Sequence, residues 1–164
     1  MPLSSATAKD LESVTKQLGR PVRDIVAIAA RCSCGNPIVV QTKPRLEDGT
    51  PFPTVYYLTL PAATSAVSTL EAQGLMTELQ DKLATDEDLA ANYQSAHLSY
   101  LSDRASLGEV EEIAGVSAGG MPTRVKCLHS LVAHSLAKGP GINMIGDLAL
   151  AACSWSPSRC LCEK

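Results

Sequence analysis

The strongest constraint on the fold is a change in hydrophobic pattern at Pro61. Three short apolar or β-branched segments, typical of strands, precede it: residues 25–30, 38–42 and 54–60. No helix-length segment separates them, whereas a parallel pair of strands needs a crossover of a dozen or more residues. The sequence therefore predicts a small antiparallel three-stranded sheet at about residues 25–60.

After Pro61 the apolar residues follow the spacing of helices. The predicted helices cover residues 62–73, 75–83, 87–107, 122–138 and 143–152, with a glycine-rich connection at 110–121. A further short amphipathic helix is predicted at residues 8–18, ended by Gly19. We therefore expect an α+β fold in which a helical layer, about residues 61–152, packs against the sheet. Residues 1–164 are expected to form one domain with a C-terminal tail that contains cysteines.

Charge and hydropathy exclude several classes of protein. The formal net charge is −3 and the pI is about 5.6, which argues against a nucleic-acid partner. The first 16 residues lack the apolar stretch of a signal peptide, and no apolar run approaches the length of a membrane span. We therefore expect a cytoplasmic protein with reduced thiols.

Six cysteines are the most informative residues for function. Cys32 and Cys34 follow the first predicted strand, Cys127 lies in the helix at 122–138, and Cys160 and Cys162 lie in the tail. Thiolates and imidazoles are ligands of zinc and of iron–sulfur clusters, so these clusters could converge on one metal. The C-x-C spacing of the two pairs is less typical than C-x2-C. The alternative is that some are small buried apolar residues, and Cys153 is interpreted in that way.

The helix predicted at 122–138 carries an unusual polar face. At about 100° per residue, Thr123, Cys127, Ser130 and His134 fall opposite an apolar stripe, with His129 beside that stripe. Cys127 and His134 would stand about 10 Å apart along the axis. They could line one pocket but could not easily share one ion. The alternative is that His134 is a partly exposed helix residue and His129 a packed one.

Glycines ahead of the same helix predict a second kind of site. Gly119 and Gly120 would expose backbone N–H groups at the helix N-terminus, where Arg124 and Lys126 add positive charge. This pattern predicts an anion or phosphate site, although it is no Walker motif. The alternative is a flexible turn.

Several stretches resemble the bacterial domain-of-unknown-function 501 family, over about residues 19–155. The stretches that carry the resemblance are Arg31-Cys32-Ser33-Cys34-Gly35-Asn36-Pro37, Leu46-Glu47-Asp48-Gly49-Thr50-Pro51-Phe52-Pro53-Thr54, Glu112-Ile113-Ala114-Gly115, Arg124-Val125-Lys126-Cys127-Leu128-His129 and Ala133-His134. The family has no established activity. Its members often lie near genes for an exopolyphosphatase and a septum-formation protein, which is an associational link to phosphate metabolism or cell division.

The resemblance changes which residues are the stronger candidates for a site. The family pattern R-C-x-x-G-x-P places Arg31 and Cys32 on motif positions and leaves Cys34 on a free one. Cys127, His129 and His134 also match, whereas Cys153 matches nothing in the pattern. The resemblance therefore favours a site of Cys32, Cys127, His129 and His134.

Three functions follow as hypotheses. The first is a metal-binding protein, with zinc or an iron–sulfur cluster held by this set of residues: Cys32, Cys127, His129, His134, Cys160 and Cys162. The second is an enzyme in which a Cys32 thiolate, stabilised by Arg31 and paired with His129 or His134, acts on an anionic or phosphate-bearing small molecule.

The third hypothesis is a non-catalytic interaction module linked to cell division or phosphate metabolism. The helices at residues 75–107 carry apolar residues in two registers, which include Leu79 and Leu98. One register would face the sheet. The other could meet a protein partner or a second copy of the chain.

Overall fold

The computed structural model describes residues 3–162, and these residues form six α-helices and one four-stranded sheet. In chain order the elements are β1 (Ser4–Ser5), α1 (Ala8–Leu18), β2 (Ile25–Arg31), β3 (Pro37–Thr42), β4 (Tyr56–Leu58), α2 (Pro61–Ala72), α3 (Leu75–Thr85), α4 (Glu87–Ala105), a 3-10 turn (Glu111–Ile113), α5 (Leu128–Lys138) and α6 (Met144–Ala152). The predicted α+β class agrees with this arrangement.

The sheet is antiparallel throughout, with the strand order β1-β2-β3-β4. The prediction of three strands was wrong by one, because Ser4 and Ser5 pair with Ile28 and Ala27 at the edge of the sheet. A two-residue strand of serines has no alternation of apolar and polar residues, so nothing in its sequence signals it. The last strand is also shorter than the predicted 54–60.

The two faces of the sheet are covered by different parts of the chain. Val39 and its neighbours on one face belong to a large core formed with the helices that follow Pro61. On the other face Ile28 and Val40 pack against Val14 of α1. Side chains alternate between the faces of a strand, so the fully buried β3 contributes to both cores.

The start of α5 differs from the prediction. Residues 118–126 form hydrogen-bonded turns, in which Arg124 N donates to Gly120 O and Lys126 N donates to Gly119 O. Cys127 then has extended backbone angles, and the helix begins only at Leu128. The predicted start at Pro122 was wrong because proline suits a turn as well as a first helical position.

The helices α3 and α4 bury some of their apolar residues and expose others. Leu79 and Leu89 belong to the large core, whereas the side chain of Leu98 is 56% exposed.

Among the helices of residues 3–162, none combines the length and apolar character that a membrane span requires.

Candidate metal centres

Four cysteines converge at one end of the sheet. The sulfur atoms of Cys32, Cys34, Cys160 and Cys162 all lie within 4.8 Å of one another, and this set is called the four-cysteine group below. The Sγ atoms of Cys162 and Cys32 are 3.7 Å apart. All six cysteines of the chain are free thiols. The group could therefore hold a metal ion.

Local structure presents the two pairs of thiols to each other. Cys32 directly follows β2, and the turn to β3 is closed by hydrogen bonds from Gly35 N to Cys32 O and from Cys32 N to Asn36 O, each 2.8 Å long. The second pair comes from the tail beyond α6. Trp155, only 2% exposed, fixes the start of this tail in the large core.

The thiols of the group differ in acidity. Burial opposes ionisation of Cys32, but the backbone N–H of Cys34 and the neighbouring thiols donate to its sulfur and lower its pKa to about 7. Burial raises the pKa of Cys162 to about 12, and its neighbouring thiols add to this effect. Cys32 is therefore the more acidic of these two thiols and the one that more readily offers a thiolate to a cation.

Arg31 pairs with Asp10 rather than with Cys32, the partner predicted from the sequence. Its guanidinium forms a fork with the carboxylate of Asp10, with two N–O distances of 2.8 Å, and also donates to Gly35 O. The structure thus engages the charge of Arg31 in a link between β2, α1 and the cysteine turn. No hydrogen bond joins Arg31 to Cys32 in the described part of the chain, so this pair does not resemble a thiolate with its stabilising cation.

A second group joins the helices α2 and α5. One ligand atom from each of Glu71, Cys127 and His129 lies within 4.8 Å of the others, and this set is called the Glu71 group. Burial opposes ionisation of Cys127, but hydrogen bonds with His129 and Ser130 lower its pKa. The contact with Cys127 raises the pKa of His129 to about 9 against the effect of burial, and the charge of Glu71 adds to the rise.

His134 belongs to neither group. Its side chain is fully buried, stacked on Tyr56 at 5.9 Å and edge-on to Tyr100 at 5.1 Å between ring centroids. Asn143 lies 3.1 Å from Nδ1, and Nε2 has no hydrogen-bond partner among the described residues. Burial lowers its pKa to about 4. The alternative interpretation of His134 as a partly exposed helix residue was therefore wrong, and this predicted metal ligand and catalytic partner of Cys32 lies outside both groups.

The glycines predicted to form an anion site are explained by packing. A Cβ on Gly119 would lie 2.6 Å from the side chain of Leu131, so only glycine fits there. Arg124 and Lys126 lie in the turns before α5 rather than in its first turn. The first N–H of the helix, that of Leu128, donates instead to Glu71.

Five of the six predicted metal ligands are thus divided between the two groups, and the sixth, His134, lies in neither. Cys32, Cys160 and Cys162 meet in the four-cysteine group, and Cys127 and His129 meet in the Glu71 group. Sequence reasoning set aside Cys34, although the matching C-x-C spacing of the two pairs was a usable signal. Nothing in the sequence indicated Glu71 as a ligand, because its place in the group depends on the packing of α2 against α5.

The comparisons with known proteins identify a family. The family model described as "Protein of unknown function (DUF501)" matches residues 28–151. The match includes Cys32, Cys34 and the whole Glu71 group, and it ends before Cys160 and Cys162. No curated protein and no solved structure matches the chain. Since the matched region spans most of the sequence, the chain belongs to the DUF501 family.

Proposed function

We propose that the protein binds one zinc ion through the four-cysteine group. The convergence of four sulfur atoms within 4.8 Å is the observation that carries this proposal. In a tetrahedral site with Zn–S bonds of about 2.3 Å, neighbouring sulfur atoms stand about 3.8 Å apart. The 3.7 Å between Cys32 and Cys162 fits that geometry.

Zinc fits this group better than an iron–sulfur cluster. A cluster places several iron atoms and sulfides between its cysteine ligands, so those sulfur atoms must be farther apart than around a single ion. Four thiolates around one ion also leave no position open for a substrate, as in structural zinc sites. The proposed role is therefore to fasten the C-terminal tail to the turn between β2 and β3.

The same site supports a cytoplasmic location. Thiols that remain reduced can bind zinc, and a reducing compartment maintains them in that state. In an oxidising compartment, Cys32 and Cys162 would be candidates for a disulfide instead. Mass analysis of protein taken directly from cells under alkylating conditions distinguishes these states.

Metal analysis of protein purified without a His tag under anaerobic conditions tests the zinc proposal. The double variant Cys34→Ser/Cys160→Ser should hold one equivalent less zinc per chain than the wild type, because one ligand is removed from each pair. Cys153→Ser is the matched control, since Cys153 lies outside both groups, and it should keep the wild-type content. A double variant with unchanged zinc, or a wild type with less than about a tenth of an equivalent of zinc and iron, would overturn the proposal.

A further inference from the structure

We propose that the Glu71 group is a second metal site, which binds Zn²⁺ through three protein ligands and leaves a position open. The site is separate from the four-cysteine group and shares no residue with it. Thiolate sulfur, imidazole nitrogen and carboxylate oxygen are each ligands of zinc, and zinc sites with three protein ligands combine two of these types.

The carboxylate of Glu71 is already oriented for this role. Leu128 N, at the start of α5, donates to Glu71 Oε2 over 2.9 Å. The other oxygen, Oε1, lies 3.3 Å from His129 Nδ1. A backbone hydrogen bond thus holds one oxygen and leaves the second facing the imidazole, as expected for a ligand oriented by its surroundings.

The ring of His129 is fixed by an independent contact. Its Nε2 lies 3.3 Å from the carbonyl oxygen of Thr64, one helical turn from Ser68, whose hydroxyl lies 3.2 Å from the same nitrogen. A carbonyl can only accept, so Nε2 carries the hydrogen. Nδ1 then faces the carboxylate and carries the second proton when the imidazole is charged, and a bound metal ion would take the place of that proton. Metal-binding histidines commonly donate their other N–H to a backbone carbonyl in this way.

This arrangement favours ligation over a catalytic relay. In a cysteine–histidine–carboxylate relay, the two ring nitrogens serve the thiol and the carboxylate separately. In this protein Nε2 is occupied by Thr64 and Ser68, while Glu71 approaches Nδ1. A cation shared by Cys127, His129 and Glu71 accounts for the convergence of all three ligand atoms.

Solvent can reach the site. The side chains of His129 and Glu71 are 29% and 23% exposed, and Cys127 is partly buried. An ion can therefore enter without unfolding of the core, and the remaining coordination position is available to water or to a small anionic ligand. The four-cysteine group, in contrast, supplies all four ligands itself.

Cobalt titration tests the second site independently of the first. In the Cys34→Ser/Cys160→Ser background, one Co²⁺ per chain should bind and produce sulfur-to-cobalt charge-transfer absorption. Adding Cys127→Ser should abolish that absorption. Adding Glu71→Gln should weaken the binding of Co²⁺, although the amide oxygen of the glutamine can still accept the hydrogen bond from Leu128 N. Adding Cys153→Ser is the matched control and should change neither. A background protein that is folded by circular dichroism but binds no Co²⁺ would refute the proposal.

The wild-type chain gives a second measurement that does not depend on the fold of the double variant. It should bind two Co²⁺ ions, and Cys127→Ser should reduce this number to one with the four-thiolate spectrum retained. A single ion that is insensitive to Cys127→Ser would contradict the second site and leave the four-cysteine proposal intact. A single ion lost in Cys127→Ser would support the second site and contradict the first.

Discussion

Cys32 and Cys162 are separated by 130 positions in the chain, yet their sulfur atoms lie 3.7 Å apart. This contact joins the end of β2 to the C-terminal tail. Within residues 156–162, the backbone hydrogen bond from Arg159 N to Ser156 O closes only a local turn. The order of the tail should therefore depend on what the cysteines bind.

Removal of metal should loosen the tail without unfolding the core. After chelation, amide hydrogen exchange should quicken in residues 156–162 and in the turn at 32–36, because both lose their shared ligand. The helix α5 should keep its protection, since it is buried in the large core. The Cys34→Ser/Cys160→Ser variant, treated identically, should show no further change in these two segments. Equal exchange before and after chelation would contradict this account.

His134 should make the protein less stable in mild acid. Its pKa is about 4 in the fold and 6.5 in an unperturbed chain, so the unfolded state binds more protons between these values. The contribution of His134 to the free energy of unfolding should be constant above pH 6.5. It should fall by on the order of 3 kcal/mol as the pH is lowered toward 4. Asp103 and Lys138 act on this histidine in opposite directions.

The variant His134→Phe provides the measurement. Urea unfolding at several pH values should give a weaker dependence on pH between 6.5 and 4 than in the wild type. Carboxylates that titrate below this window affect both proteins equally and so cancel in the comparison. Identical slopes would contradict the assignment to His134.

The ion pair of Arg31 with Asp10 should contribute to stability. Asp10→Asn removes the negative charge of the carboxylate that Arg31 binds, and this side chain is only 9% exposed. The substitution should lower the free energy of unfolding, measured by chemical denaturation, by about 1–2 kcal/mol. Arg31 lowers the pKa of Asp10, so this contribution is present above the usual pKa of 3.8 and is lost as the pH falls below it. Glu112→Gln breaks the exposed pair with Arg45 and is the control, for which no measurable change is expected.

The hydroxyl group of Tyr100 should contribute to the stability of the fold. The buried backbone N–H of Val55 donates to Tyr100 Oη over 2.8 Å. Tyr100→Phe leaves this N–H without an acceptor and should destabilise the fold by about 1–3 kcal/mol. Tyr57→Phe, at a partly exposed position of β4, should have a much smaller effect on the thermal midpoint. Equal midpoints for the two variants would refute this explanation.

Much of the architecture was predictable because local patterns and packing agree. The strand at Ile25–Arg31 and the helix at Ala8–Leu18 have both the periodicity and the end signals that their structures require. The edge strand at Ser4–Ser5 and the late start of α5 depend on contacts with distant parts of the chain, which local patterns do not carry.

The candidate sites were predictable only in part, for a similar reason. The sequence indicated Cys32, Cys160 and Cys162 as ligands, but it could not separate them from Cys127 and His129. That separation follows from where β2, the tail and α2 lie in space. Glu71 joins His129 only because α2 packs beside the start of α5.

The burial of Trp155 has a consequence for how quickly a metal is captured. Since this side chain anchors the chain shortly before Cys160, the second pair of thiols is tethered beside the first and is present at an effective concentration on the order of millimolar or more. An ion that first meets Cys32 and Cys34 is then enclosed by an intramolecular step. Capture should therefore proceed at a rate set by encounter with the first pair, and release should require the tail to swing away before the ion can leave.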